Sequence, residues 1–103
     1  MTEHELRRQT SAYLKQRDGW WLQKIADKFT GGLPDYLGTY KGRMVALELK
    51  IKPNKPTPLQ RITGQAIQHA GGIYQVVYSF DEVRQWVAMI EQHHQRFIKN
   101  TCQ

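Results

Sequence analysis

Three charged residues on two short segments carry the chemistry of this sequence: Asp35 in "GGLPDYLGTY", and Glu48 with Lys50 in "KGRMVALELK". The two segments read as strand arms, Asp35 to Tyr40 and Arg43 to Ile51, meeting at Lys41-Gly42. A two-residue turn there pairs Tyr40 with Arg43, and the same register carried outward sets Asp35 opposite Glu48. A four-residue loop pairing Thr39 with Met44 keeps that register, whereas a loop of odd length breaks it. Directly opposed residues have Cβ atoms roughly 5 Å apart, and like charges there are destabilising. Lys50, one step along the same face, offsets part of the repulsion. A divalent cation offsets it more fully, because carboxylate oxygens suit Mg2+ or Mn2+. Such a set fits phosphodiester hydrolysis. Asp35 and Glu48 would hold an ion that polarises a phosphoryl oxygen and lowers the pKa of a bound water. Lys50 would position that water or stabilise charge building up at phosphorus. The plain alternative is a half-buried strand. In that case Val45, Leu47, Leu49 and Ile51 face the core, and Met44, Ala46, Glu48, Lys50 and Lys52 form a solvated outer face.

The elements around these residues are legible from caps and breakers. Thr2-x-x-Glu5 is a capping-box pattern opening a first helix, with Leu6, Thr10, Tyr13 and Leu14 on one face and Asp18-Gly19 as its end. Trp20-Trp21-Leu22 suits a strand, in which one tryptophan of the pair enters the core while the other is free to stack on bases. Gly31-Gly32-Leu33-Pro34 breaks the chain before the hairpin, and "KPNKPTP" (52–58) follows it as a connector. Thr57 as N-cap, Pro58 as first helical residue and Gln60 as third start a helix that ends near Ala70 at Gly71-Gly72. Ile73 to Tyr78 reads as another strand. Ser79-x-x-Glu82 opens a last helix with Val83, Trp86, Val87 and Ile90 on one face. The order α-β-β-β-α-β-α indicates an α/β fold, a mixed sheet flanked by helices, with residues 1–103 as a single domain.

The net charge is +6, from 15 Lys and Arg against 9 Asp and Glu. That balance favours polyanions, nucleic acid first and anionic membrane surfaces second. The basic residues recur in short groups (Arg7-Arg8, Lys15 with Arg17, Lys50 with Lys52, Lys55, Arg61), as on a folded surface. The sequence shows neither a membrane-spanning run nor a secretory h-region. A single cysteine, Cys102, rules out an internal disulfide and a cysteine-based zinc cluster. The expected compartment is the cytoplasm.

Pro34-Asp35, twelve intervening residues and Glu48-Leu49-Lys50 resemble the PD-(D/E)XK nuclease signature. With "GGLPD", "ALELK", "KPTPLQ" and "GGIYQVVYS" around it, the chain from about residue 3 to 85 resembles the VRR-Nuc branch of that superfamily, including its stand-alone phage and bacterial members. The resemblance implies a restriction-endonuclease-like core and a Mg2+- or Mn2+-dependent nuclease. It implies Asp35, Glu48 and the main-chain carbonyl of Leu49 as metal ligands and Lys50 as the catalytic lysine. It also implies a glutamate of the first helix near the metal. Glu5 matches best by its distance to the Asp18-Gly19 turn, with Glu3 as the second choice. Completion of the Thr2 capping box explains Glu5 equally well. A glutamine at the start of the helix after the lysine strand corresponds to Gln60, which also serves the Thr57 cap. Ile51 departs from the small or glycine-containing segments common in relatives, which bears on how the following loop lies against DNA.

Lys52, Lys55 and Arg61 flank the proposed site as phosphate contacts, or as ordinary solvated charge. His93 and His94, adjacent on a helix, cannot both face one metal and read as surface residues. His69 suits the C-terminal turn of its helix. With no insertion to read bases in a groove, the expected specificity is for DNA shape. The preferred substrate is branched DNA such as a four-way junction. So small a chain has little area to grip a branched duplex, and a two-fold homodimer would double it. Two other readings compete: a nucleic-acid-binding module that keeps the fold without catalysis, and a regulatory protein in which the acids form an ordinary ion pair with Lys50.

Overall fold

The Lys41-Gly42 turn closes the hairpin. In the computed structural model, which describes residues 1–25 and 31–101 (side chains of 97–101 excepted), Lys41 and Gly42 take φ values of 46° and 87°. Two successive positive φ values define a type I′ turn, whose twist matches that of the strands it joins. β2 (Tyr36–Tyr40) and β3 (Arg43–Leu49) pair antiparallel, with Tyr40 opposite Arg43 and Tyr36 opposite Leu47. This is the register read from the sequence, and its next step outward carries Asp35 toward Glu48. Asp35 itself stands in a bend directly before β2.

The full order is α1 (Glu3–Lys15), β1 (Trp20–Lys24), β2, β3, α2 (Pro58–His69), β4 (Ile73–Val77) and α3 (Phe80–Thr101). The sheet runs β1-β2-β3-β4: the first three strands form an antiparallel meander, and β4 lies parallel to β3. A parallel neighbour requires a crossover, and α2 supplies it. The α/β class and the element order agree with the sequence reading. Cys102 lies outside the described residues.

One face of the sheet holds the core. Val45, Leu47 and Leu49 of β3 join Leu6 and Leu14 of α1 and Val83, Trp86, Val87 and Ile90 of α3. Trp20 completes it, with its ring 4.6 Å from Tyr40 and 5.4 Å from Trp86. Its indole N–H donates to Glu91 Oε2 at 2.9 Å, and Arg17 Nε donates to the same oxygen at 3.2 Å, tying the start of β1 and the end of α1 to α3. Trp21 points the other way and is 62% exposed.

The second face of β3 is not solvated. Ala46 is wholly buried and Glu48 is 2% exposed, whereas Met44 at the hairpin end is 40% exposed. The cover is α2. A Cβ at Gly64 would lie 2.4 Å from Tyr74 Cε2, so only glycine lets the helix descend onto β4. The consequence for function is direct: α2 encloses a carboxylate that the strand pattern alone would leave in water.

Candidate active site

Four segments converge at the end of the sheet where β2 begins and β3 ends. Asp35 is fixed first. Its Oδ2 accepts the main-chain N–H of Leu49 at 2.8 Å, and its Oδ1 accepts from Arg7 Nη2 at 3.2 Å. Leu49 thus brings its main-chain N–H to Asp35. Glu48, one residue earlier, shares the buried face beneath α2.

Gln60 reaches Glu48 from the first turn of α2. Its Oε1 accepts the N–H of Thr57 at 2.9 Å, while the Thr57 hydroxyl accepts the Gln60 N–H at 3.1 Å, a reciprocal capping box. With its oxygen committed to the cap, the carboxamide must present its NH2 group elsewhere. That group donates to Glu48 Oε1 at 3.4 Å. Helix cap and site contact are therefore one arrangement. Glu48 Oε2 is buried with no hydrogen-bond partner.

The electrostatics follow from this burial. Glu48 is pushed up to about 8 by desolvation first, then by the Asp35 carboxyl beside it; Lys50 opposes the shift. Tyr74, on β4 opposite Ala46, lies on the same face of the sheet as Glu48. Its hydroxyl is buried without a partner, and it is pushed up to about 12 by burial and by the charges of Glu48 and Asp35. Lys50 is half-buried immediately past β3, where its N–H donates to Val77 O at 3.0 Å.

The first-helix acid in contact with this network is Glu3. Its carboxylate accepts from Arg7 Nη2 at 2.9 Å, one turn along α1, and Arg7 in turn holds Asp35. Glu5 is exposed; its main-chain N–H donates to the Thr2 hydroxyl at 3.1 Å, so Thr2 caps the helix there. Among the described residues no group of three or more acidic, histidine or cysteine side chains lies close enough to hold a metal ion. The structure joins two carboxylates, not three, and Glu5 is not brought to them.

Lys52, Lys55 and Arg61 are all exposed, on the loop after β3 and the first turns of α2. The Lys52 ammonium sits 5.9 Å from the centre of the Tyr78 ring. His69 and His93 are exposed, and the ring of His94 meets Tyr40 edge-on at 5.3 Å. A cavity of about 430 Å3 at the hairpin-turn end, lined by Tyr40, Arg43, Met44, Gly72 and His94 among others, contains none of the acids.

Sequence reasoning missed Arg7 and Tyr74. The signal for Arg7 was its spacing of four from Glu3 on a helix. For Tyr74 it was an alternating position on β4, two residues before Val76, which pairs with Glu48.

The donor set suits a divalent cation. It consists of oxygens, and one buried carboxylate oxygen, Glu48 Oε2, lacks a hydrogen-bond partner among the described residues. In outline this is an α/β core, a four-stranded mixed sheet with three helices, with its acid pair at the sheet end. No family model and no curated protein matches the chain. Among solved structures, a VRR_NUC domain aligns with a TM-score of 0.71 at 23% sequence identity, covering 84% of this chain and 94% of that one. The chain has the VRR_NUC fold, as the sequence resemblance implied.

Proposed function

We propose that this protein is a Mg2+- or Mn2+-dependent deoxyribonuclease that cuts phosphodiester bonds, acting as an endonuclease on branched DNA such as a four-way junction. The observation that carries the reading is Glu48. It is a buried carboxyl group beside a second one, Asp35, and one of its oxygens has no hydrogen-bond partner among the described residues. Burying two acids together is unfavourable unless something makes use of them. An ordinary ion pair with Lys50 would leave that oxygen unexplained, and DNA binding alone requires no buried acid.

Asp35, Glu48 and the main-chain carbonyl of Leu49 would hold the cation. When bound, a divalent ion supplies Lewis acidity toward a phosphoryl oxygen and acidifies a coordinated water. The chain's own residues do the rest. Asp35 is oriented by the Leu49 N–H. Gln60 fixes the Glu48 carboxyl from the helix side. Lys50, beside the acids, holds the attacking water or stabilises negative charge as it develops on the phosphoryl oxygens. Glu3, whose carboxylate accepts from Arg7, takes the part of first-helix acid. Lys52, Lys55 and Arg61 lie where backbone phosphates would be gripped, and the +6 net charge draws the polyanion in. A two-fold homodimer would give the area a branched duplex needs. The expected compartment is the cytoplasm of a bacterial or phage-infected cell.

The test is cleavage of labelled linear, single-stranded and four-way-junction DNA by the wild type and Asp35→Asn, in Mg2+, Mn2+ or EDTA. Cuts by the wild type in metal alone, strongest on the junction and absent in the variant, support the proposal in full. Salt-dependent DNA binding without any cutting would instead favour a non-catalytic module.

A further inference from the structure

Arg7 stands in contact with a carboxylate that the metal-dependent reading assigns to the cation. Its Nη2 lies 3.2 Å from Asp35 Oδ1 and 2.9 Å from Glu3 Oε1. The guanidinium leaves one of its donors unsatisfied in this position. Its Nε is buried with no partner, although a guanidinium ordinarily satisfies its donors as a fork. The side chain is 34% exposed, so an outward path is open to it. Its main chain is held independently, because the Tyr36 hydroxyl donates to Arg7 O at 3.0 Å.

A divalent ion and a guanidinium on the same carboxylate repel each other, and both draw on the negative charge of Asp35. We propose that Arg7 is a competing counter-cation of the site, which occupies Asp35 in the metal-free protein and is displaced from it when a divalent ion binds. Arg7 is a positioning residue in this account, acting through Asp35. Displacement leaves it tethered to Glu3 at the rim, with donors free for an anionic phosphodiester oxygen. The inference rests on the metal-binding role proposed for Asp35 and Glu48.

The two accounts of Arg7 predict opposite signs. If Arg7 competes, removing its charge tightens metal binding. If it only orients Asp35, removing it weakens metal binding. The experiment is Mn2+ titration of the full chain without DNA, read by the electron paramagnetic resonance signal of free Mn2+. Wild type, Arg7→Gln, Arg7→Lys and Glu48→Gln are compared, each verified as folded by thermal melting. The expected result is Mn2+ binding by the wild type that Glu48→Gln abolishes, tightened on the order of three- to tenfold in Arg7→Gln, the scale on which a nearby like charge acts. Arg7→Lys, which keeps the charge, should stay closer to the wild type than to Arg7→Gln. Wild-type binding with Arg7→Gln unchanged or weaker overturns the competition and leaves the nuclease reading intact. No wild-type binding that depends on Glu48 overturns both.

Discussion

At the scale of single residues, Glu48 governs pH behaviour. Its folded-state value of about 8 lies above its ordinary 4.5. Between those values the native protein holds a proton that the unfolded chain lacks, so metal-free stability falls as pH rises through that window. Glu48→Gln has no charge to bury. In EDTA at pH 8.5 its melting temperature should exceed that of the wild type by several degrees, given about 4–8 °C per kcal/mol for a domain near this size. At pH 5 the difference should vanish. The same variant should be inactive, and a stabilised but dead protein is the signature of a site held under electrostatic tension. Equal melting curves at both pH values would show that Glu48 is not protonated in the native state. The acid pair itself was legible in the sequence, because strand alternation and an even turn together require it. Arg7 was not, because nothing local announces that a helical arginine will reach across to a loop carboxylate.

At the scale of elements, the first turn of α2 ties folding to chemistry. Thr57 caps the helix and holds Gln60, and Gln60 holds Glu48. Thr57→Ala should destabilise by about 1 kcal/mol, the usual value of a lost N-cap, and should also lower kcat, although Thr57 touches no substrate. Stability curves and single-turnover cleavage rates measure the two effects. A loss of stability with kcat unchanged would uncouple cap from site. Gly64→Ala tests the packing of α2 on β4 further along the helix. The added methyl would meet the Tyr74 ring at 2.4 Å, and overpacking of this kind typically costs about 1–3 kcal/mol; chemical denaturation gives the value. The helix start was readable from "TPLQ" because cap, proline and glutamine each have a local reason to be there. That α2 would roof over the outer face of β3 was not readable, since a glycine in mid-helix reads first as a weak helix former. The same gap explains why Glu48 looked half-solvated in the sequence and is buried in the fold, and why Glu5 looked a better match than Glu3. Choosing between the two acids requires the angle of α1, which tertiary packing sets.

At the scale of the molecule, one face of the sheet holds the core and one end holds the proposed site. The charge excess concerns encounter rather than fold. Lys52, Lys55 and Arg61 should each contribute about one unit to the slope of log affinity against log salt, so a single alanine variant should lower that slope by about one. Fluorescence anisotropy across a salt series measures it, and an unchanged slope removes that residue from the interface. Sequence composition pointed to a polyanion, and the three cations share the exposed loop and helix start beside Lys50. Among the described residues, no helix is long and apolar enough to cross a membrane.

The most direct test of the central claim is the single-turnover rate of four-way-junction cleavage in Mg2+ by wild type and Lys50→Ala, with EDTA controls. The account predicts cleavage by the wild type that EDTA abolishes, and a loss of on the order of 100- to 1,000-fold in Lys50→Ala, the scale of removing one group that stabilises transition-state charge. Cleavage that persists in EDTA, or a Lys50→Ala rate equal to wild type, would contradict it.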